Sequence, residues 1–71
     1  MDVSSLGNRL KEERVRQGLS QADLAARVGV SRKTINTVEN QVFVPSAILA
    51  LRLARALHTT VEKLFFLVGG K

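Results

Sequence analysis

Catalysis needs groups that attack, exchange protons or hold a metal, and this chain has few of them in a useful arrangement. His58 is the single histidine, there is no cysteine, and no carboxylate cluster accompanies it, so neither a metal site nor a general base is built on it. There is no phosphate loop of the G-x-x-x-x-G-K type and no nucleophile set beside a base. The expectation is a non-enzyme with no cofactor, no metal and no evident small-molecule ligand. What remains is cationic: 11 Lys and Arg against 6 Asp and Glu leave a formal net charge of +5. Such an excess neutralises phosphates and releases their counterions, although a merely solvated basic surface gives the same total. The arrangement of the residues has to decide. Arg32, Lys33, Asn36 and Thr37 share the outward side of one short segment whose inward side carries Ile35 and Val38.

The elements that must hold that segment are legible from caps and periodicity. Ser4 or Ser5 is expected to cap a first helix with Leu6 and Leu10 at four-residue spacing, ended by Gly18. Ser20, with Asp23 three residues on, opens a second helix from Gln21 to Val28 that buries Leu24, Ala25 and Val28, and Gly29 ends it. Ser31 caps a third helix from Arg32 to Asn40, and Gln41 to Val44 form a loop. Pro45 and Ser46 open a fourth helix to Leu57, and Thr60 caps a short fifth with Val61, Leu64 and Phe65. No segment reads as a sheet, so the expected class is all-α with five helices. Residues 1–71 read as one domain, with 68–71 a frayed tail. A composition 45% hydrophobic and 24% charged suits a folded chain rather than a disordered basic arm. No run approaches the roughly 20 apolar residues that span a bilayer, and the N-terminal residues lack a leader pattern, so no membrane is expected.

Two short helices joined by a tight turn need a small residue at their crossing, a residue tolerant of positive φ in the turn, and apolar residues that fix the angle. Ala25, Gly29, and the set Leu24, Val28, Val30, Ile35 and Val38 supply all three, in phase from Gln21. A helical hairpin without a nucleic-acid role is the plainer alternative. The stretch RLKEERVRQGLSQADLAARVGVSRKTINTVEN, followed by VPS and LRLARALHTTVEKLF, resembles the Xre family of helix-turn-helix regulators, which includes the phage repressor and Cro proteins.

That resemblance implies a two-fold homodimer on double-stranded DNA, reading the major groove of a palindromic operator and regulating transcription, as a repressor, without catalysis. By position the third helix becomes the reading helix. Arg32 then offers paired donors to guanine O6 and N7, Lys33 a less directional contact to the same atoms, and Thr37 a methyl or hydroxyl to a base, with Asn36 facing backbone or an edge base. Gln21, at a helix N-terminus, becomes a phosphate contact, Ser20 and Ser31 are caps that also face DNA, and Asn40 is a phosphate contact or a plain C-cap. Arg14 and Glu39 become an architectural ion pair. The implied localisation is cytoplasmic, in a prokaryote or a phage.

Two positions depart from the family pattern. Gln41 stands where glycine usually follows VEN, so that Asn40 or Gln41 must take positive φ, and His58 replaces the glycine after the fourth helix. In the fourth helix Ala47, Ala50, Leu51, Leu53, Ala54 and Leu57 read as the inward stripe, leaving Ile48 and Leu49 outside. Together with Val42, Phe43, Val44, Phe66, Leu67 and Val68 they exceed what a small monomer hides. Phe43, Ile48, Leu49, Phe66, Leu67 and Val68 are therefore the expected dimer interface. Two other readings stay open: the DNA-binding end of a larger effector-sensing regulator, which the GGK end would suit, and an antitoxin-type protein-interaction module.

Overall fold

The computed structural model describes residues 5–69. Its elements run β1 (Ser5–Asn8), α1 (Leu10–Arg16), α2 (Gln21–Val28), α3 (Arg32–Glu39), α4 (Ala47–Ala56), α5 (Val61–Leu64) and β2 (Phe65–Val68). The five helices are present, the last four where expected to within a turn, and serine or threonine caps those four. Ser20, Ser31, Ser46 and Thr60 each accept a hydrogen bond from the backbone N–H three residues on.

The class is mostly helical rather than all-α, because the two ends pair as a small antiparallel sheet in the register Ser5↔Val68, Leu6↔Leu67, Gly7↔Phe66, Asn8↔Phe65. Three expectations change together. The first helix starts at Leu10, not at a serine cap: Ser5 lies in β1, Ser4 lies outside the described residues, and the cap residue Arg9 gives no side-chain bond. Asn8 does that work instead, its Oδ1 accepting from Leu10 N–H at 3.1 Å while its Nδ2 donates to Val38 O at 2.9 Å. Val68 closes β2 instead of opening a frayed tail, and Gly70 and Lys71 lie outside the described residues. The pairing depends on Gly7. A Cβ there would sit 2.5 Å from Phe66 Cε1 and 2.6 Å from Val68 Cγ2, so only glycine lets the Phe66 ring lie across β1.

The core is aliphatic. Leu10, Leu24, Ile35, Val38, Leu53, Leu57 and Leu64 are fully buried, so each of the five helices contributes at least one of them. The buried stripe of α4 is Leu49, Ala50, Leu53, Ala54 and, at its cap, Leu57. Leu49 therefore belongs to the core, and Leu51, 61% exposed, faces out in its place. The four-residue row 49, 53, 57 carries three leucines, and their burial outweighs the smaller side chains on the other edge of the stripe.

Four helices end in one way. After α1, α2, α3 and α4, the backbone N–H groups of Leu19, Val30, Val42 and Thr59 donate to the carbonyls of Arg14, Ala25, Thr37 and Ala54. The residue just before each donor takes positive φ: Gly18, Gly29, Gln41 (62°) and His58 (57°). Of Asn40 and Gln41, Gln41 takes the left-handed conformation and Asn40 does not.

Candidate nucleic-acid interface

The site starts at the frame that holds α3. α2 and α3 meet through Leu24, Ala25 and Val28 against Ile35 and Val38, all buried, and the chain turns between them at Gly29. A Cβ at Gly29 would meet nothing within 4 Å, so its φ of 76° is the whole demand for glycine there. Ser20 and Asp23 form a reciprocal capping box at the head of α2, each bond 2.9 Å long. The Ser20 N–H and hydroxyl hold the Asp23 carboxyl below its ordinary range.

The far side of the frame is fixed by ionic contacts. Arg14 Nε donates to Glu39 Oε2 at 2.6 Å and Arg14 Nη2 to Glu39 Oε1 at 3.3 Å, while Arg14 Nη1 donates to Leu19 O at 2.8 Å. The side chains are 10% and 3% exposed, so this pair is interior. Gln21 Nε2 adds a third donor to the same carboxylate, 3.0 Å from Oε1. The sequence places Gln21 at a phosphate through its side chain and the helix N–H groups; the structure adds that its amide nitrogen joins α2 to the end of α3. Glu39 thus ties together α1, α2 and α3 through one carboxylate.

On the opposite side α3 presents Arg32, Lys33, Asn36 and Asn40, all exposed, and Thr37, half-buried. Among the described residues Arg32 and Lys33 enter no ion pair; the two ion pairs there are Arg14 with Glu39 and Arg16 with Glu13. The Thr37 hydroxyl donates to Thr34 O at 2.9 Å. Asn40 Nδ2 donates to Asn36 O at 2.9 Å and to Asn36 Oδ1 at 3.2 Å, so Asn40 serves as the C-cap and the two amides are coupled. Ser31 Oγ accepts from Thr34 N–H at 3.1 Å and lies 3.0 Å from Thr34 Oγ1. An α-helix with its side chains is about 10–12 Å across, which suits the width of a B-form major groove.

The loop after α3 also joins this side. Thr37 O accepts from both Val42 N–H (2.9 Å) and Phe43 N–H (3.1 Å), so the loop folds back along the helix. Val42 and Phe43 then share a surface depression with Ser31, Lys33, Thr34 and Thr37. Val42, Phe43 and Val44 are the exposed apolar residues of this loop, of which Phe43 is the one expected in the dimer interface. The expected interface residues fall in different places: Leu49 in the core, Ile48 on the outer side of α4, Phe66, Leu67 and Val68 on β2, and Phe43 beside both Lys33 and the Leu6 and Phe65 side of the sheet. Among the described residues no group of His, Asp or Glu is placed to hold a metal ion, and no helix is long and apolar enough to cross a membrane.

Residues 10–64 match the helix-turn-helix family. The chain is 42% identical to an uncharacterized HTH-type transcriptional regulator, YgzD of Bacillus subtilis, over 84% of this chain and 91% of that protein. It is 48% identical to an uncharacterized HTH-type transcriptional regulator of Methanothermobacter thermautotrophicus, over 82% and 86% of the two chains. Among solved structures it is similar to the restriction-modification controller protein C.AhdI from Aeromonas hydrophila, with a TM-score of 0.74, 36% identity, and 78% and 83% of the two chains covered. It is also similar to a chain of the SinR protein/SinI protein complex, with a TM-score of 0.71 and 25% identity, covering 76% of this chain and 53% of that one. The chain belongs to the Xre-type helix-turn-helix family, whose members are DNA-binding transcriptional regulators and not enzymes.

Proposed function

We propose that this protein is a homodimeric, sequence-specific regulator that represses transcription by occupying a palindromic operator. The observation that carries the reading is the outward row of α3: Arg32 and Lys33 exposed and free of ion pairs among the described residues, at the N-terminal end of a helix held by a buried three-helix carboxylate network. A cation left without an internal partner on a rigid helix is ready for base edges or phosphates.

In this reading Arg32 and Lys33 contact guanine, Thr37 and Val42 offer methyl groups to thymine, and Asn36 and Asn40 face the edge of the site. Gln21 keeps its phosphate contact in this reading: one amide N–H is engaged by Glu39 and fixes the head of α2, while the backbone N–H groups there and the rest of the half-buried amide meet a phosphate. Ser20 and Ser31 set those helix heads through their caps. Two copies related by a two-fold axis place their reading helices about 34 Å apart, one turn of DNA. The likeness to a restriction-modification controller protein supports a regulatory role, and a cytoplasmic location follows from that role.

Selection of bound sequences from a random duplex pool, at a stated salt concentration, tests the proposal. The expected result is a two-fold symmetric consensus. Recovery of unenriched bulk DNA refutes sequence specificity, and enrichment of a single asymmetric half-site refutes the dimer.

A further inference from the structure

The hydrogen-bond phase of the sheet shows which strand edge is open. In an antiparallel ladder a residue's N–H and C=O point to the same side, and successive residues alternate. Arg9 N–H donates to Leu64 O at 2.9 Å, one step beyond the Asn8↔Phe65 pair, so Ser5, Gly7 and Arg9 face β2. Two side observations agree. The carbonyl of Leu6 points away from β2 and accepts from Gln41 Nε2 at 3.2 Å, and Phe65 N–H turns away from β1 to donate to Val61 O. It follows that Leu67 directs both its N–H and its C=O out of the sheet on the far side of β2, where its side chain is 74% exposed.

We propose that a second copy of this chain adds to that edge, β2 against β2 and antiparallel, with Leu67 opposite Leu67 on the two-fold axis. The inference rests on the dimeric reading above and names its interface. Pairing in this register satisfies the outward N–H and C=O of Leu67 in both copies and makes one four-stranded sheet of two marginal two-stranded ones. It also sets Phe66 opposite Val68 of the second copy in a non-hydrogen-bonded pair, where side chains approach closest. Phe66 and Val68 are 39% and 42% exposed, and an aromatic facing a β-branched residue is a favourable cross-strand pair.

The open backbone edge, more than charge, favours β2 over the other apolar surface, since Arg9 also lies 5.0 Å over the Phe66 ring. β2 reads FFLV and carries no charge, and among the described residues it lacks the lysine, proline or inward charge that usually blunts an edge strand. On α4 the exposed Ile48 and Leu51 lie beside Arg52 and Arg55, with Glu62 lining the same depression as Leu51 and Arg55, so burying that surface means desolvating charges that the β2 edge does not carry.

The experiment is a charge swap at the axis, read by sedimentation equilibrium on the full chain. Leu67→Lys and Leu67→Glu are each expected to weaken self-association about tenfold or more, since like charges then sit directly opposite, and an equimolar mixture of the two is expected to recover it. Leu67→Pro, which removes the outward N–H while leaving the bonds to β1 in place, is expected to give monomers. Melting curves near wild type for all three variants establish that the fold is kept. Unchanged dimers in every variant overturn the β2 interface and leave the dimeric reading standing. Dimers lost in Leu51→Arg but kept in the Leu67 variants overturn it in favour of α4. A wild type that stays monomeric to about millimolar concentration overturns both.

Discussion

Glu39 and Arg32 stand a helix length apart on α3, and they set two kinds of residue against each other. Glu39 accepts three hydrogen bonds, two from Arg14 and one from Gln21, in an interior where the side chains are 10% (Arg14) and 3% (Glu39) exposed. Glu39→Ala leaves a buried guanidinium without its counter-ion and is expected to cost about 3–5 kcal/mol of stability, read as a fall in the urea midpoint. DNA binding is then lost with the fold; a midpoint equal to wild type refutes the architectural role. Arg32 has no such internal partner. Arg32→Ala is expected to leave the urea midpoint unchanged while relaxing preference at one operator position by about 1–3 kcal/mol, measured by competition with single-base variants. The ion pair was legible because the family pattern fixes both of its ends. The Gln21 contact was not, since a glutamine at a helix head reads as an outward donor, and only the approach of Glu39 in three dimensions turns it inward.

At the scale of the element, the helix ends decide more than the helix interiors. Gly18, Gly29, Gln41 and His58 all take the left-handed conformation that lets the next N–H reach back five residues, but two of the four are not glycine. The strain at such a residue is about 1–2 kcal/mol, and glycine's greater freedom when unfolded offsets about half of it. His58→Gly is therefore expected to raise stability by about 0.5–1 kcal/mol, seen as a higher urea midpoint; a lower midpoint refutes the strain. Gln41 suits this test less well, because its amide also holds Leu6 O. The head of α2 predicts a pH effect. The Asp23 carboxyl is held below its ordinary range by the Ser20 N–H and hydroxyl. A group depressed in the folded state contributes stability above its unfolded pKa and loses it as pH falls through the folded value. Denaturation below about pH 4 should accordingly be less pH-dependent in Asp23→Asn than in wild type. These caps and turns were readable because they are local, a serine followed by an acid or a glycine at a fixed offset. The inward stripe of α4 was placed one edge out, with Leu51 in and Leu49 out, since in AILALRLARAL the leucines fall on more than one side and neighbouring helices choose among them.

For the whole molecule, the least legible feature is the one that joins its ends. Leu6 and Leu10 stand four apart and suggest a helix, and nothing local contradicts that; the partner that makes residues 5–8 a strand lies at the far end of the chain. The trace it leaves in the sequence is a glycine inside the expected helix and a run of aromatic and branched residues after the last one. The structure turns that glycine into a sharp test. A methyl at Gly7 would lie 2.5 Å from Phe66 Cε1 and 2.6 Å from Val68 Cγ2, so Gly7→Ala forces the Phe66 ring and Val68 off β1 or the two strands apart. Overpacking of this kind costs about 1–3 kcal/mol, a large share of what a chain of this size has in hand. The loss should be uneven. Amides of β1 and β2 are expected to exchange faster in Gly7→Ala, while those of α2 and α3, held by Leu24, Ile35 and the Glu39 network, keep most of their protection. Uniform loss across the chain refutes that division and makes the sheet part of the same cooperative unit as the reading helix. If the sheet edge is the dimer contact, Gly7→Ala also weakens self-association and operator affinity together, with base preference intact because Arg32 and Lys33 stand on elements the change does not reach.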